Sequence, residues 1–174
     1  SALDRKVRTL TDESVIVYFR FMLSTKSEAL PDKLSCLGYT DAADAGGYAI
    51  NIYNEDCAGY MSALFSLFAQ RYTQPDNEFG FCASFIIGSD VNNSSTSNSA
   101  GTGVDADSYN AAYERLVRVA RTALVSNYSG GRVYISLGNN WNAALTDSGC
   151  AADTSSSAFL SSFSSLCSVT GDYN

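Results

Sequence analysis

The sequence predicts an α/β fold in which parallel strands alternate with helices. Three apolar runs have the composition of buried strands, and segments with helical spacing separate them. The runs are Val15–Leu23, Phe81–Ile87 and Arg132–Leu137. Polar residues follow the second and third runs, at the strand ends where parallel α/β sheets place their ligands. Strand, helix, strand at this spacing is typical of the βα repeat.

Two helices and a short strand are predicted before the central strand. Ser1–Asp12 carries the spacing of an amphipathic helix. The mixed segment Ser24–Gly47 is longer than an ordinary connection, which indicates either a functional loop or a small structural excursion. Tyr48–Tyr53 has the pattern of a short edge strand. Asn54 is then a good N-cap for a core-facing helix that runs to Tyr72.

Two further helices are predicted after the central strand. Asp105 or Asp107 caps the first of them. Gly130-Gly131 is expected to end it, because glycine adopts the left-handed conformation that stops helices. The second carries the apolar stripe Phe159–Cys167. Each helix buries one stripe and leaves its charges at the surface.

Composition and charge exclude several kinds of partner. The 174 residues are 45% apolar, which is enough for the core of one domain. The net charge is −7 and the basic residues are scattered, so neither nucleic acid nor an acidic membrane surface is an expected partner. No run approaches the roughly 20 apolar residues of a membrane span, and no signal segment begins the chain. The helical spacing at Ser1 suggests a chain cut from something longer.

The cysteine and histidine counts limit the chemistry. With no histidine and no CxxC pair, a zinc site of the usual type and a histidine-based triad are excluded, and we expect no metal. No phosphate-binding glycine motif is present, so no nucleotide cofactor is expected either. Cys82 and Cys167 fit small core residues. The sequence leaves open whether one disulfide forms among Cys36, Cys57 and Cys150.

The polar strand ends supply the candidate site residues. Ser89, Asp90 and Asn92 follow the central strand, and Asp90 either carries chemistry or, with Asn92, satisfies amides of the turn. Asn139, Asn140 and Trp141 follow the third strand. Trp141 suits stacking on a sugar ring beside amides that bind hydroxyls, with a gap-filling role as the alternative.

Arg20 is the charged residue inside the first apolar run. We expect an ion pair with a carboxylate in the interior, the alternative being a guanidinium head that reaches the surface. Right-handed βα crossovers place consecutive strands side by side, so Arg20, Asp90 and Trp141 are expected at one edge of the sheet.

Four strings of the sequence resemble a bacterial family of glycosidase-like (β/α)8-barrel proteins of unknown function, related to the clan A glycoside hydrolases. The strings are NIYNEDCAGYMSALFSLFAQRYTQPDNEFG, FIIGSDVNN, YNAAYERLVRVARTALVS and RVYISLGNNW. The resemblance implies that residues 1–174 form about half of a TIM barrel, truncated at both ends, with one open interior face. The remainder of the parent barrel would then be a partner.

The resemblance also implies a function. Asp90 stands where clan A enzymes carry the glutamate that acts as general acid/base, and Ser89 replaces the asparagine before it. Substrate contacts would come from Ser89, Asn92, Asn139, Asn140, Trp141 and Arg20. The expected partner is a carbohydrate and the expected location is extracellular or at the cell surface. The alternatives are a catalytically impaired carbohydrate-binding protein, since Asp90 is one methylene shorter than glutamate, and a purely structural α/β domain.

Overall fold

The computed structural model describes residues 1–25, 38–39, 48–74, 77–93, 104–143 and 153–170. Its elements in chain order are α1 (Ala2–Asp12), β1 (Val17–Phe21), β2 (Ser24–Thr25), β3 (Gly38–Tyr39), β4 (Tyr48–Ile50), α2 (Glu55–Tyr72), β5 (Cys82–Ile87), α3 (Ala106–Val125), β6 (Arg132–Ile135) and α4 (Ser156–Thr170).

A three-stranded parallel sheet in the order β1-β5-β6 organises the fold. The expected α/β class, the order of the strands and their direction are therefore confirmed. The register places Arg20, Ile86 and Tyr134 in one row across the sheet, and Tyr18, Ser84 and Arg132 two rows before it, on the same face. Residues in one row share a face, so the two faces can be assigned directly.

Helices cover one face of this sheet through aromatic side chains. Phe21 of β1 meets Phe65 of α2 with ring centroids 4.9 Å apart, and Phe85 of β5 with centroids 5.0 Å apart. Phe65 and Phe85 have no exposed surface. From α3, the buried Tyr113 hydroxyl donates to the Ile87 carbonyl at 2.7 Å. The hydrophobic core thus lies between the sheet and α2 and α3.

The other face of the sheet is largely uncovered in the described part of the chain. Tyr18 and Tyr134 are 46% and 47% exposed, and Met22 is 52% exposed. Burial alternates along the outer strands β1 and β6. The prediction of a buried strand within Val15–Leu23 therefore holds for one face of β1 alone, because helices pack against that side and the other side is exposed.

The helix caps follow the sequence with one exception. The Asn54 side chain accepts hydrogen bonds from the amides of the first turn of α2, as predicted. Asp105, rather than Asp107, caps α3. Its carboxylate accepts a hydrogen bond from the Ser108 amide, and this bond lowers the pKa of the Asp105 carboxyl. Gly130-Gly131 does not end α3, which stops at Ser126, and neither glycine has a positive φ.

Gly131 has a packing role instead. A Cβ atom at Gly131 would lie 2.6 Å from Cγ of Leu124, the side chain that α3 buries against the start of β6. The chain turns here through hydrogen bonds from the Tyr128 amide to the Leu124 carbonyl and from the Gly131 amide to the Tyr128 carbonyl.

A small antiparallel sheet in the order β2-β4-β3 lies beyond the end of β1. It confirms a short strand at Tyr48–Ile50 within the predicted Tyr48–Tyr53, but β4 pairs with strands on both sides and is not an edge strand. The strands β2 and β3 make Ser24–Gly47 partly a structural excursion. Among the cysteines, Cys57 and Cys82 are free and buried, while Cys36 and Cys150 lie outside the described residues. Cys57 therefore takes no part in the disulfide that the sequence left open.

Candidate functional site

The carboxyl edge of the parallel sheet is held together by backbone hydrogen bonds between neighbouring strand ends. The Gly88 amide, just after β5, donates to the Phe21 carbonyl of β1 at 2.8 Å. The Val91 amide donates to the Ser136 carbonyl, just after β6, at 2.9 Å. The segments that follow β5 and β6 therefore start from one continuous edge.

The segment after β5 turns sharply at Gly88 and Asp90. Gly88 has φ 76° and Asp90 has φ 50°, both in the left-handed region. Aspartate is one of the few residues other than glycine that adopt this conformation readily. The Asn93 amide then donates to the Asp90 carbonyl at 2.8 Å and closes the turn. Asp90 thus sits at the tip of a tight turn, two residues before a buried asparagine.

Asn92 is the anchor of this edge. It has no exposed surface. Its Oδ1 accepts the Gly138 amide at 2.7 Å, and its Nδ2 donates to Asn140 Oδ1 at 2.9 Å and to the Thr154 carbonyl at 3.1 Å. One side chain thereby connects the segments after β5 and β6 with the approach to α4. Asn92 therefore satisfies a backbone amide, but one of the segment after β6 and not one of its own turn.

The segment after β6 is fixed to the start of α4. The amides of Ser156 and Ser157 donate to the carbonyls of Asn140 and Trp141 at 3.0 and 3.1 Å. The Ser156 hydroxyl donates to the Gly138 carbonyl at 2.8 Å. Asn140 Nδ2 donates to the Ala143 carbonyl at 2.9 Å, so this side-chain amide also satisfies a backbone group.

Four predicted site residues keep their side-chain groups available. Within the described ranges, Ser89 and Asp90 are half-buried and their side chains make no hydrogen bond. Asn139 is exposed, and the indole of Trp141 is 56% exposed although its backbone is held by α4. Trp141 therefore does not fill a gap between the loop and the helix. The edge combines a carboxylate, an amide and an aromatic ring on a fixed backbone.

Arg20 lies on the open face of β1, one residue before the end of the strand. It is exposed, and it forms no ion pair with any residue in the described part of the chain. The ion pair that the sequence favoured is thus not found there, and the guanidinium head is at the surface. The reason is geometric, since β1 turns Arg20 away from the helices on its other face.

Sequence reasoning missed Gly138, Thr154 and Ser156. A Cβ atom at Gly138 would clash with Nδ2 of Asn93, so a larger residue here would displace that side chain. Thr154 and Ser156 fall in a serine- and alanine-rich stretch without any periodic signal. Their role depends on partners far away in sequence, which no local pattern reveals.

Metal and membrane functions gain no support from the described residues. They contain no cluster of three or more groups that would suit a metal ion. Among the same residues, no helix has the length and apolar character needed to cross a membrane.

Comparison with protein families gives one match, to a model described as a family of unknown function (DUF5722), over residues 1–174. Comparisons with curated proteins and with solved structures give no match.

Proposed function

Since the chain belongs to a family of unknown function (DUF5722), its activity must be inferred from its own residues, and we propose that it acts on a glycan at the carboxyl edge of its parallel sheet. In this proposal residues 1–174 are about half of a (β/α)8 barrel related to the clan A glycoside hydrolases. Asp90 is the general acid/base of glycoside hydrolysis, and Trp141 and Asn139 bind the sugar.

Trp141 carries the proposal. Its indole is 56% exposed while its carbonyl is held by the Ser157 amide at 3.1 Å, so a large aromatic face is presented from a fixed backbone. Burial of such a ring is normally favourable, and a ring left in water beside amides suits the face of a sugar. Asp90 follows the neighbouring strand, at the same edge.

The proposed chemistry needs two carboxyl groups. Asp90 donates a proton to the glycosidic oxygen as the bond to the anomeric carbon breaks. A second carboxylate either attacks that carbon, forming a covalent intermediate that water then hydrolyses, or takes a proton from the water that attacks the carbon directly. A separation of about 5 Å between the carboxyls gives retention, and about 6.5–9.5 Å gives inversion. In the proposed barrel the second carboxylate comes from the seventh strand, outside residues 1–174.

A second candidate function is glycan binding without turnover. Aspartate is one methylene shorter than the glutamate of clan A enzymes, and a displacement of about 1 Å can cost about a hundredfold in rate. Ser89 lacks the side-chain amide of the asparagine that clan A enzymes carry at this position. The amide of Asn92 does not replace it, because its Nδ2 donates to Asn140 and Thr154 and its Oδ1 accepts a hydrogen bond from the Gly138 amide. This use of the Asn92 amide favours impaired catalysis.

Hydrolysis by the full-length natural protein tests the first candidate. The wild type is assayed on a panel of aryl glycosides and polysaccharides beside Asp90→Asn. Asp12→Asn is a matched control, because Asp12 is an exposed carboxylate at the end of α1, away from this edge. We expect turnover by the wild type and the control, with a loss of at least about a hundredfold in Asp90→Asn. Equal hydrolysis by all three proteins would remove Asp90 from the mechanism.

Binding measurements separate the second candidate from the first. A glycan array probed with wild type and Trp141→Ala should show binding that the substitution abolishes. Binding without any turnover supports the second candidate over hydrolysis. Glycan binding that survives Trp141→Ala argues against a stacking role for the indole. Absence of both binding and turnover would leave the third alternative, a structural α/β domain.

A further inference from the structure

The open face of the sheet carries an aromatic pair that spans the central strand. Tyr18 of β1 and Tyr134 of β6 meet edge to face, with ring centroids 6.0 Å apart and an interplanar angle of 72°. They belong to the outer strands, so their rings meet above β5, between Ser84 and Ile86. Each ring is nearly half exposed. Two rings with hydroxyl groups thus form a platform beside Arg20, since Tyr134 lies in its row and Tyr18 lies two residues before it on β1.

The charge of this face is opposite to that of the chain. The whole sequence has a net charge of −7. Yet the two registered rows of the open face, as far as the structure describes them, contain Arg20 and Arg132 and no carboxylate. A local positive field on an acidic protein selects anionic ligands, and it raises their local concentration where the surrounding surface repels them.

The two arginines differ in what they already bind. Arg132 Nη1 donates to the carbonyls of Gly130 and Gly131 at 3.2 and 3.0 Å, at the amino end of β6. Arg20 is one residue from the carboxyl end of β1, and its guanidinium makes no hydrogen bond within the described residues. A strand advances about 3.3 Å per residue, so the Arg20 guanidinium is long enough to reach the carboxyl edge.

We infer that the ligand of this edge is an acidic glycan, and that Arg20 binds the carboxylate of a uronic acid residue. The inference rests on the proposed function, since it concerns the same edge. The planar guanidinium offers two parallel N–H donors that match the two oxygens of a carboxylate. The next sugar along the chain then reaches Trp141 at the same carboxyl edge.

The test compares acidic oligosaccharides with their neutral counterparts. Oligogalacturonate and its carboxyl-reduced form are titrated calorimetrically into the full-length natural protein, into Arg20→Gln and into Arg132→Gln. Arg132→Gln is the matched control, because Arg132 lies on the same face at the opposite edge. We expect the acidic oligosaccharide to bind the wild type about tenfold more tightly than the neutral one, since charge-assisted hydrogen bonds are stronger than neutral ones.

The pattern of losses identifies Arg20. Arg20→Gln should bind the acidic oligosaccharide about tenfold more weakly than the wild type does and should bind the carboxyl-reduced one with unchanged affinity. Arg132→Gln should keep the wild-type preference for the acidic oligosaccharide. Arg20→Lys should recover part of the loss, and 0.5 M salt should weaken the preference by screening. A sulfated oligosaccharide of the same length should bind less tightly than the carboxylated one.

Each contrary result has its own meaning. Equal binding of the acidic and reduced ligands by the wild type would overturn the inference and leave the proposed glycan function intact. An equal loss in Arg132→Gln would overturn the assignment to Arg20, because a general field would then explain the preference. Failure of the wild type to bind any oligosaccharide, acidic or neutral, in this assay and on the glycan array would overturn the proposed function itself.

Discussion

Asp4, in the first turn of α1, receives two parallel hydrogen bonds from Arg71, in the last turn of α2, each 2.8 Å long. The Tyr72 hydroxyl donates to the same carboxylate at 2.7 Å. Arg71 also stacks on Phe79, with its guanidinium carbon 3.6 Å from the ring centroid. The pair fixes α1 to α2, at the end of the sheet opposite the candidate site.

The Asp4–Arg71 pair predicts a pH dependence of stability. The Arg71 hydrogen bonds, with help from Tyr72, hold the pKa of the Asp4 carboxyl far below its usual range. A carboxyl whose pKa is lower in the folded state contributes its full stability above the unfolded pKa of about 4, and this contribution is lost as the pH falls below it. The free energy of unfolding of the wild type should therefore fall between pH 5 and pH 2 more steeply than that of Asp4→Asn.

Urea unfolding at pH 7 and pH 3 measures this difference. The control is Asp12→Asn, whose exposed carboxylate pairs with Arg8 on the surface of α1. It should follow the wild type at both pH values, because exposed ion pairs contribute little. A gap between wild type and Asp4→Asn that stays the same at both pH values would contradict the assigned role of the pair.

Asn92→Ala should destabilise the protein by about 3 kcal/mol, because it leaves the Gly138 amide and other buried groups without partners. Asn92→Asp should cost at least as much, since a carboxylate cannot donate to the Thr154 carbonyl or to Asn140 Oδ1. The midpoint of urea denaturation reports both changes. Asn139→Ala, at an exposed asparagine of the same edge, should stay within about 0.5 kcal/mol of the wild type. Similar values for Asn92→Ala and Asn139→Ala would contradict the anchor role.

Two glycine substitutions should have opposite effects on thermal stability. Gly80 has φ 91°, and a Cβ atom there would lie 2.8 Å from backbone atoms of Val7 and Arg8 in α1. Gly80→Ala should therefore cost about 2–4 kcal/mol, since backbone cannot move aside cheaply. Gly59 lies within α2, with nothing within 4 Å of a Cβ atom. Gly59→Ala should stabilise the protein by about 0.5–1 kcal/mol through helix propensity. A lower melting temperature for Gly59→Ala would contradict this prediction.

The thiols of Cys57 and Cys82 should resist alkylation in the folded protein. Both are buried, and desolvation raises the pKa of each thiol, so little thiolate is present at pH 8. Peptide mapping after iodoacetamide treatment should show slow labelling at both positions in the native state and rapid labelling in urea. Fast native labelling of Cys57 would contradict its position in the core.

The parallel sheet could be predicted because its signals are local and strong. Phe81–Ile87 is apolar except at Ser84, and the observed strand Cys82–Ile87 lies within it. The N-caps at Asn54 and Asp105 are equally local. Strands of two residues, such as Ser24–Thr25, have no periodicity, so the small antiparallel sheet could not be predicted.

The site was predicted in position and less well in role. Gly88, Asp90 and Trp141 follow strand ends that the composition revealed. The anchor role of Asn92 depends on Gly138 and Thr154, which lie 46 and 62 residues away in sequence. Arg20 illustrates the same limit, because a strand pattern indicates a charged side chain without showing which face is covered.

The Asn92 anchor also has a consequence for the order in which the protein folds. Contacts between residues this far apart in sequence require long loops to close, so they are expected to form after the helices. The hydrogen bonds of Asn92 also need the ends of β5 and β6 to be aligned already by strand pairing. Asn92→Ala should then accelerate unfolding while leaving the refolding rate almost unchanged, a φ-value near zero. The edge that we propose to bind the glycan would be the last part of this sheet to assemble and the first to open.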